Sequence, residues 1–231
     1  MRDLQLPADI ADTFDLLVRA RRSIRGFRPD PVPRDILERV FEAAQHAPSN
    51  CNVQPWVVHV VSGDAAERMR QGLAEQAGAN APKTPDVPLT GPYEGVYRER
   101  RIASAVALFE ATGVERHDLD ARNASFMRNF RFFDAPHAVF LFAPSWSGLR
   151  EIADVGMYAQ SLMLAMTANG LGSCPQGALS HYAHVVHEQL GVPEDMHLLF
   201  GLAFGWPDEN HPANRAMTDR AAATDVVAFH D

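Results

Sequence analysis

Residues 47–56 read Ala-Pro-Ser-Asn-Cys-Asn-Val-Gln-Pro-Trp, placing the amides and hydroxyl of Ser49, Asn50, Asn52 and Gln54 between two prolines. Proline fixes its own φ and restricts the residue before it, so Pro48 and Pro55 stiffen both ends of the stretch. A stiff loop with several donors and acceptors at fixed places suits the in-plane polar edge of a heteroaromatic ring. The same residue types also suit a turn that satisfies its own side chains. On this loop alone the two readings stay balanced.

A second cluster lies upstream, Arg21-Arg22-Ser23-Ile24-Arg25-Gly26-Phe27. Guanidinium forks and a hydroxyl match a phosphate monoester. A solvated basic patch is the competing reading of any charge run. In an extended segment, residues 21, 23 and 25 share one face while Ile24 points to the core.

The elements that must hold these residues follow from periodicity. Phe14, Leu17 and Val18 predict a helix over about 8–20, which delivers the chain to the arginines. Pro31-Val32-Pro33 opens a second helix with a buried stripe of Leu37, Val40, Phe41 and Ala44. A strand over 56–61 follows the polar loop, and Asp64 is expected to cap a third helix that runs to 78. Residues 80–95 form a proline-rich loop of the length often used as a lid. A mixed helical region rich in Arg, Tyr and Phe comes next, then a strand over 137–142 and a mostly buried helix over 150–171. Residues 198–204 read as a central strand, and the apolar 226–229 as a strand in the tail.

Arg-Arg-Ser-Ile-Arg followed one helix later by Ala-Pro-Ser-x-x-Asn-x-Gln-Pro-Trp resembles the nitroreductase family of FMN-dependent oxidoreductases. Residues 171–177, Leu-Gly-Ser-Cys-Pro-Gln-Gly, and Thr218-Asp219-Arg220 sit where that family keeps its remaining flavin contacts, so the resemblance covers nearly the whole chain. It implies an α+β fold with a central, mostly antiparallel sheet flanked by helices. It further implies a domain-exchanged homodimer in which the tail extends the partner's sheet. A single domain over 1–231 is expected, with 80–133 as a lid or substrate insertion and 207–231 as the dimer-wrapping tail.

By the same resemblance, Arg21, Ser23, Arg25 and Arg220 hold the FMN phosphate, with Arg22 in the same stretch. Pro48, Ser49, Asn50, Asn52 and Gln54 serve the ring, Asn50 and Asn52 crossing to the partner's flavin. Ser173, Cys174, Pro175, Gln176 and Gly177 approach it near N5. Arg131 is the expected basic contact at the pyrimidine edge and the one residue with a catalytic, electrostatic role. Asn129 or Arg128 joins it, and spacing does not choose between them. Tyr93, Tyr97 and Phe126 are the candidate substrate contacts, although aromatics at helical spacing also read as plain core. The implied activity takes a hydride from NADH or NADPH through flavin N5 to a small nitroaromatic acceptor, by ping-pong, in two-electron steps. Residues 91–95 look most like the nitrobenzoate-reducing subgroup. Another acceptor (a quinone, a free flavin, a dehalogenation) and a non-catalytic flavin-binding dimer are the alternatives.

Composition narrows the classes further. Lys and Arg number 21 against 29 Asp and Glu, a net charge of −8 that disfavours nucleic acid as a partner. No apolar run is long enough for a signal peptide or a membrane span, so the cytoplasm is the expected location. Cys51 and Cys174 form no metal-like pattern and read as small buried cysteines. His181, His184 and His187 recur every third residue, but on a helix the outer two lie roughly 600° apart and cannot converge on one ion. No metal is expected.

Overall fold

In the computed structural model the described residues are 7–89 and 91–230. The elements run α1 (Ile10–Ala20), α2 (Arg34–Ala44), β1 (Val57–Ser62), α3 (Gly63–Gly78), α4 (Gly95–Thr112), α5 (Leu119–Met127), β2 (His137–Pro144), α6 (Leu149–Ala168), β3 (Gly172–Gln176), α7 (Ala183–Leu190) and β4 (Met196–Gly205). The four strands form one antiparallel sheet in the order β1-β2-β4-β3. The fold is α+β.

β2 lies in the middle and is buried along nearly its whole length, which explains its unbroken apolar run. Alternation sends Ala138, Phe140 and Phe142 to the layer containing α3 and α7. Val139, Leu141 and Ala143 point the other way, into the layer of α2 and α6. Each fully buried Phe contributes about 1.5–3 kcal/mol of burial free energy, so Phe140, Phe142 and Phe204 anchor the sandwich. A bulge opposite Leu141 and Phe142 shifts the register of β4. One extra residue reverses the facing of the strand, so Leu198 and Leu202 serve opposite layers although four residues apart.

Several expectations shift. Gly63 takes φ +52° and turns the chain straight from β1 into α3. Ser62 therefore stands at the helix N-cap, and Asp64 falls in the first turn without capping it. There its charge favours the helix dipole instead. β3 was not expected as a strand; its Gly, Pro and small residues hide the pattern, and only pairing with β4 reveals it. Residues 226–229 form no strand in this chain, and Val226, Val227 and Phe229 are exposed.

Residues 80–89 are tied down at their start. Thr84 N–H donates to the His181 carbonyl at 2.8 Å, and Thr84 Oγ1 lies 2.6 Å from His184 Nδ1. Asp86 Oδ2 accepts from the Leu198 N–H at 2.7 Å and from His187 Nε2 at 2.7 Å. His187 Nδ1 is 3.0 Å from the Val192 carbonyl. Both ring nitrogens thus face acceptors, and only the imidazolium can donate to both. Burial of the ring opposes the charge. The bonds to Asp86 and Val192, with the charges of Asp86 and Glu194, outweigh it and hold the imidazole above its ordinary range.

A raised folded-state pKa means stability that is complete below the unfolded value and lost as pH rises through the folded one. His187→Gln should therefore cost about 1.5 kcal/mol in mildly acidic buffer, the low end for a charge-assisted bond because solvent reaches the pair. The gap from wild type should close in alkaline buffer. Urea unfolding at about pH 5.5 and about pH 9, either side of the His range, checks this, and a pH-independent gap would show that the imidazolium contributes nothing.

Candidate functional site

The segment after α1 is laid along the outer side of β3. Arg21 leaves the helix in extended conformation, φ −63° and ψ 120°. Ile24 N–H then donates to the Ser173 carbonyl at 3.0 Å, with a parallel bridge between Ser23 and Ser173. Gly172 permits this approach, since a Cβ there would lie 2.7 Å from Ile24 Cγ1. Asn214, buried and 189 residues downstream, fixes the next turn. Its Oδ1 accepts from Arg25 N–H at 2.7 Å, and its Nδ2 donates to the carbonyls of Gly26 and Asp208. Gly26 leaves room for His211, whose Cγ would be 2.0 Å from any Cβ.

Arg21, Ser23 and Arg25 are thereby gathered around the buried Cys174 thiol. Burial pushes that thiol up, and Arg25, Ser23 and Arg21 pull the other way. Arg220 comes in from the tail. Burial first, then repulsion from Arg220, lowers the Arg21 guanidinium, and Cys174 acts in the opposite direction. Among the described residues no carboxylate is within ion-pair distance of Arg21, Arg25 or Arg220. A partly buried Arg21 with Arg25 and the exposed Arg220 near it, and no acid among them, is arranged for an anion from outside. Arg22 points elsewhere, donating to the Asn214 carbonyl and contacting Met217 Sδ at 3.6 Å. It ties the tail to the segment.

Cys174 and Gln176 share a face of β3. Gln176 Nε2 donates to the Asn129 carbonyl at 2.9 Å and to Asn129 Oδ1 at 3.2 Å, while Asn129 Nδ2 donates to the Phe126 carbonyl at 2.8 Å. This relay fixes both amides, and it leaves the Gln176 Oε1 acceptor buried with no partner. Ser173 Oγ is also buried without a partner, on the opposite face by alternation, and Pro175 is exposed. Gly177 begins the 3₁₀ turn Gly177–Ser180.

The two arginines of the next stretch share Asp134 and differ in their other contacts. Arg128 Nη2 donates to the Arg25 carbonyl at 3.1 Å, and its guanidinium lies over Phe133 at 5.7 Å, beside that of Arg25 at 6.0 Å. Arg131 pairs with Asp134 at 3.2 Å, with its side chain 63% exposed. Its carbonyl accepts from Arg70 of α3 at 3.3 Å. Arg128 reaches the same carboxylate, Asp134 Oδ2, at 3.5 Å, so the two arginines share an acid and only Arg128 adds a bond to the cation cluster.

The 47–56 loop sits apart. Among the described residues no hydrogen bond or ion pair joins it to residues 21–25 or 172–176. Ser49 Oγ accepts from Gln54 N–H at 2.9 Å, and Gln54 Nε2 donates to the Asn52 carbonyl at 2.9 Å. The self-satisfying turn is thus realised for Ser49 and Gln54. Pro48, Asn50 and Asn52 are exposed, and neither asparagine side chain bonds outside the loop. Cys51, Asn52 and Gln54 hold φ of 49°, 57° and 50°, the strained left-handed region. Cys51 is exposed, against the expectation of burial, because the turn aims it outward.

Tyr93 and Tyr97 are exposed beside and on α4, with Arg100 6.0 Å over the Tyr97 ring. Phe126 stands edge-on to Phe130 and 6.3 Å from His181. The three histidines are spent separately, His184 on Thr84, His187 on Asp86 and His181 among aromatic rings. Among the described residues no group of three or more His, Cys, Asp or Glu is placed to hold a metal. Asn214 and Asp154, which organise the two halves, had no signal in the sequence, since their partners are more than 100 residues away.

A family model described as the nitroreductase family matches residues 18–206. "Nitroreductase NfnB" of Mycolicibacterium smegmatis is 43% identical over 222 residues, covering 96% of this chain and 94% of its own. "4-nitrobenzoate reductase" of a Nocardioides species is 31% identical over 230 residues, covering 98% and 92%. The crystal structure of the FMN-dependent nitroreductase NfnB from Mycobacterium smegmatis in complex with NADPH superposes with a TM-score of 0.93 at 41% identity, covering 96% of this chain and 100% of that one.

The two thiols should behave oppositely. A disulfide reagent at mildly alkaline pH should titrate Cys51 in the native protein and leave Cys174 untouched until unfolding, since burial withholds the thiolate. Mass mapping that found Cys174 labelled at native rates would contradict the buried site. Arg220→Ala should relieve repulsion on Arg21, leaving thermal stability of the cofactor-free chain equal or higher, yet weaken phosphate-monoester binding about tenfold or more. Parallel melting and binding titrations check the pair of signs.

Proposed function

The chain belongs to the nitroreductase family, and from that premise we propose that it is an FMN-dependent reductase that draws on NADPH and acts on small nitroaromatic compounds. The observation that carries the reading is the acid-free cluster of Arg21, Ser23, Arg25 and Arg220 beside an unpartnered buried acceptor, Gln176 Oε1. A phosphate fits the first, and the N–H edge of a flavin ring fits the second. When bound, FMN supplies the hydride chemistry, taking two electrons from the nicotinamide and giving two to the acceptor.

The chain's own residues bind, orient and bias. Arg21, Ser23, Arg25 and Arg220 hold the phosphate, and Ser173 to Gly177 bring backbone to the ring. The Asn129–Gln176 relay keeps Gln176 turned as an acceptor. We assign the cation at the pyrimidine edge to Arg128, because its guanidinium already shares Phe133 with Arg25. Both Arg128 and Arg131, the residue the family resemblance favours, pair with Asp134, and Arg128 alone adds the bond to the Arg25 carbonyl. Reductant and acceptor would use the ring face in turn, which is the ping-pong order. Tyr93, Tyr97 and Phe126 are proposed to line the acceptor side. Names such as nitrobenzoate reductase among the relatives favour a nitroaromatic over a quinone or free flavin.

A homodimer supports the loop's role. β1 is the free edge of the sheet, with Val57 and Val60 exposed, and a groove of about 660 Å³ runs beside it between Phe41, Trp56 and Tyr158. α1 and α4 bury no residue, and Met157 of α6 is exposed. We propose that the tail of a second copy covers that edge, and that Asn50 and Asn52 reach the FMN of the partner subunit. Among the described residues no helix is long and apolar enough to cross a membrane, which suits the proposed cytoplasmic setting.

The protein should purify yellow, release FMN on heating, and oxidise NADPH only when a nitroaromatic such as 4-nitrobenzoate is supplied anaerobically. Recovery of FAD, or a yellow protein without turnover, would end the reading. Arg128→Ala should slow nicotinamide-driven reduction about 10–100-fold, the equivalent of one charge-assisted bond, against a small effect for Arg131→Ala. Stopped-flow absorbance decides, and the reverse ranking would return the role to Arg131. Deleting the chain after Arg220 should yield a species that sediments smaller and retains less flavin.

A further inference from the structure

Asp154 lies near the start of α6, only 4% exposed, next in the chain to buried Val155 and one turn before Tyr158, which stacks on Trp56. Its Oδ2 accepts the backbone N–H of Asn50 at 3.0 Å. Among the described residues no arginine, lysine or histidine stands within ion-pair distance of it. A carboxylate in such a place is unfavourable against a packed leucine, so it is not explained by stability.

What the bond holds is a turn in costly backbone. Cys51, Asn52 and Gln54 all sit at positive φ, and non-glycine residues persist there only when their surroundings over-determine them. The remaining ties are local, Ser49 Oγ to Gln54 N–H and Gln45 Nε2 to Gln54 Oε1 at 3.4 Å. Asp154 supplies the one hydrogen bond, among the described residues, between the turn Asn50–Asn52 and a distant part of the fold.

We propose that Asp154 is a positioning residue: it sets the strained turn so that the side chains of Asn50 and Asn52 point away from their own subunit at the ring edge of FMN held by a partner subunit. The inference rests on the dimeric FMN reading above and adds the residue that aims the loop. α6 thereby transmits the placement of the loop from the subunit core, through one carboxylate, to the cofactor.

The test uses the holoenzyme. Asp154→Leu should melt as a folded dimer at or above the wild-type temperature, yet bind FMN about tenfold or more weakly, with a shifted visible flavin band. Asp154→Asn, which keeps an isosteric acceptor, should restore affinity and spectrum to within about threefold of wild type. Asn50→Ala should weaken FMN in the wild-type background and add little in Asp154→Leu, since both act through one contact. Wild-type affinity and spectrum in Asp154→Leu, with the Asn50→Ala loss still present, would overturn the role of Asp154 and leave the loop reading standing. No loss from Asn50→Ala and Asn52→Ala would overturn both. Should Asp154→Leu fail to form a folded dimer, Asp154→Ser, too short to reach the Asn50 amide, takes its place in the cycle. Additive losses there would overturn the proposal, and sub-additive ones support it.

Discussion

The Ile24 N–H to Ser173 carbonyl bond is the contact on which the site depends. It lays an otherwise irregular segment along β3, and the alternation of an extended chain then presents residues 21, 23 and 25 toward Cys174 while Ile24 goes to the core. The bond forms because two glycines remove what would block it, Gly172 under Ile24 and Gly26 under His211. Asn214 completes the clamp by accepting from one backbone group and donating to the next. A side chain at residue 172 would push the segment off the strand and disperse the cations together.

Around that clamp the chain keeps features that oppose its own stability. Arg21 and Arg220 repel one another in a partly desolvated place, Gln176 buries an unused acceptor, and Phe132, Phe133 and Asp134 hold positive φ. The overall charge of −8 makes the local excess of cations more pointed, since acids abound elsewhere and none is placed here. Unrelieved costs gathered in one region are what a site prepared for an anionic, planar ligand looks like before the ligand is considered.

The insertion between α3 and β2 is unevenly held. Its start is tied through Thr84 and Asp86 to α7 and β4, and its end through the Asn129–Gln176 relay to β3. Between them α4 leaves Val96, Tyr97, Ile102 and Val106 exposed. With the exposed apolar residues of α1 and the tail, this is more uncovered apolar surface than a lone chain of this size usually shows. It fits the proposed association of two copies, in which the polar loop and the cation cluster of different subunits meet.

Legible in the sequence alone were the helices of clear period, the apolar central strands, the net acidic charge and the motif pair that marks the family. These are local properties, set by side-chain spacing or composition within a few residues. Residues 21, 23 and 25 sharing a face was also legible, because extended backbone alternates wherever it lies. Tertiary structure alone decided the rest. β3 exists through its partner β4, since its composition is too small and too interrupted to carry a strand pattern. Arg22 turns away from its neighbours because Asn214 and Met217 offer it contacts across 192 and 195 residues. Arg128 and Arg131, three apart and chemically alike, both pair with Asp134, yet Arg128 also donates to the Arg25 carbonyl while the Arg131 carbonyl accepts from Arg70 of α3. No spacing rule ranks those two, as the choice rests on which distant groups the fold brings within a few ångströms.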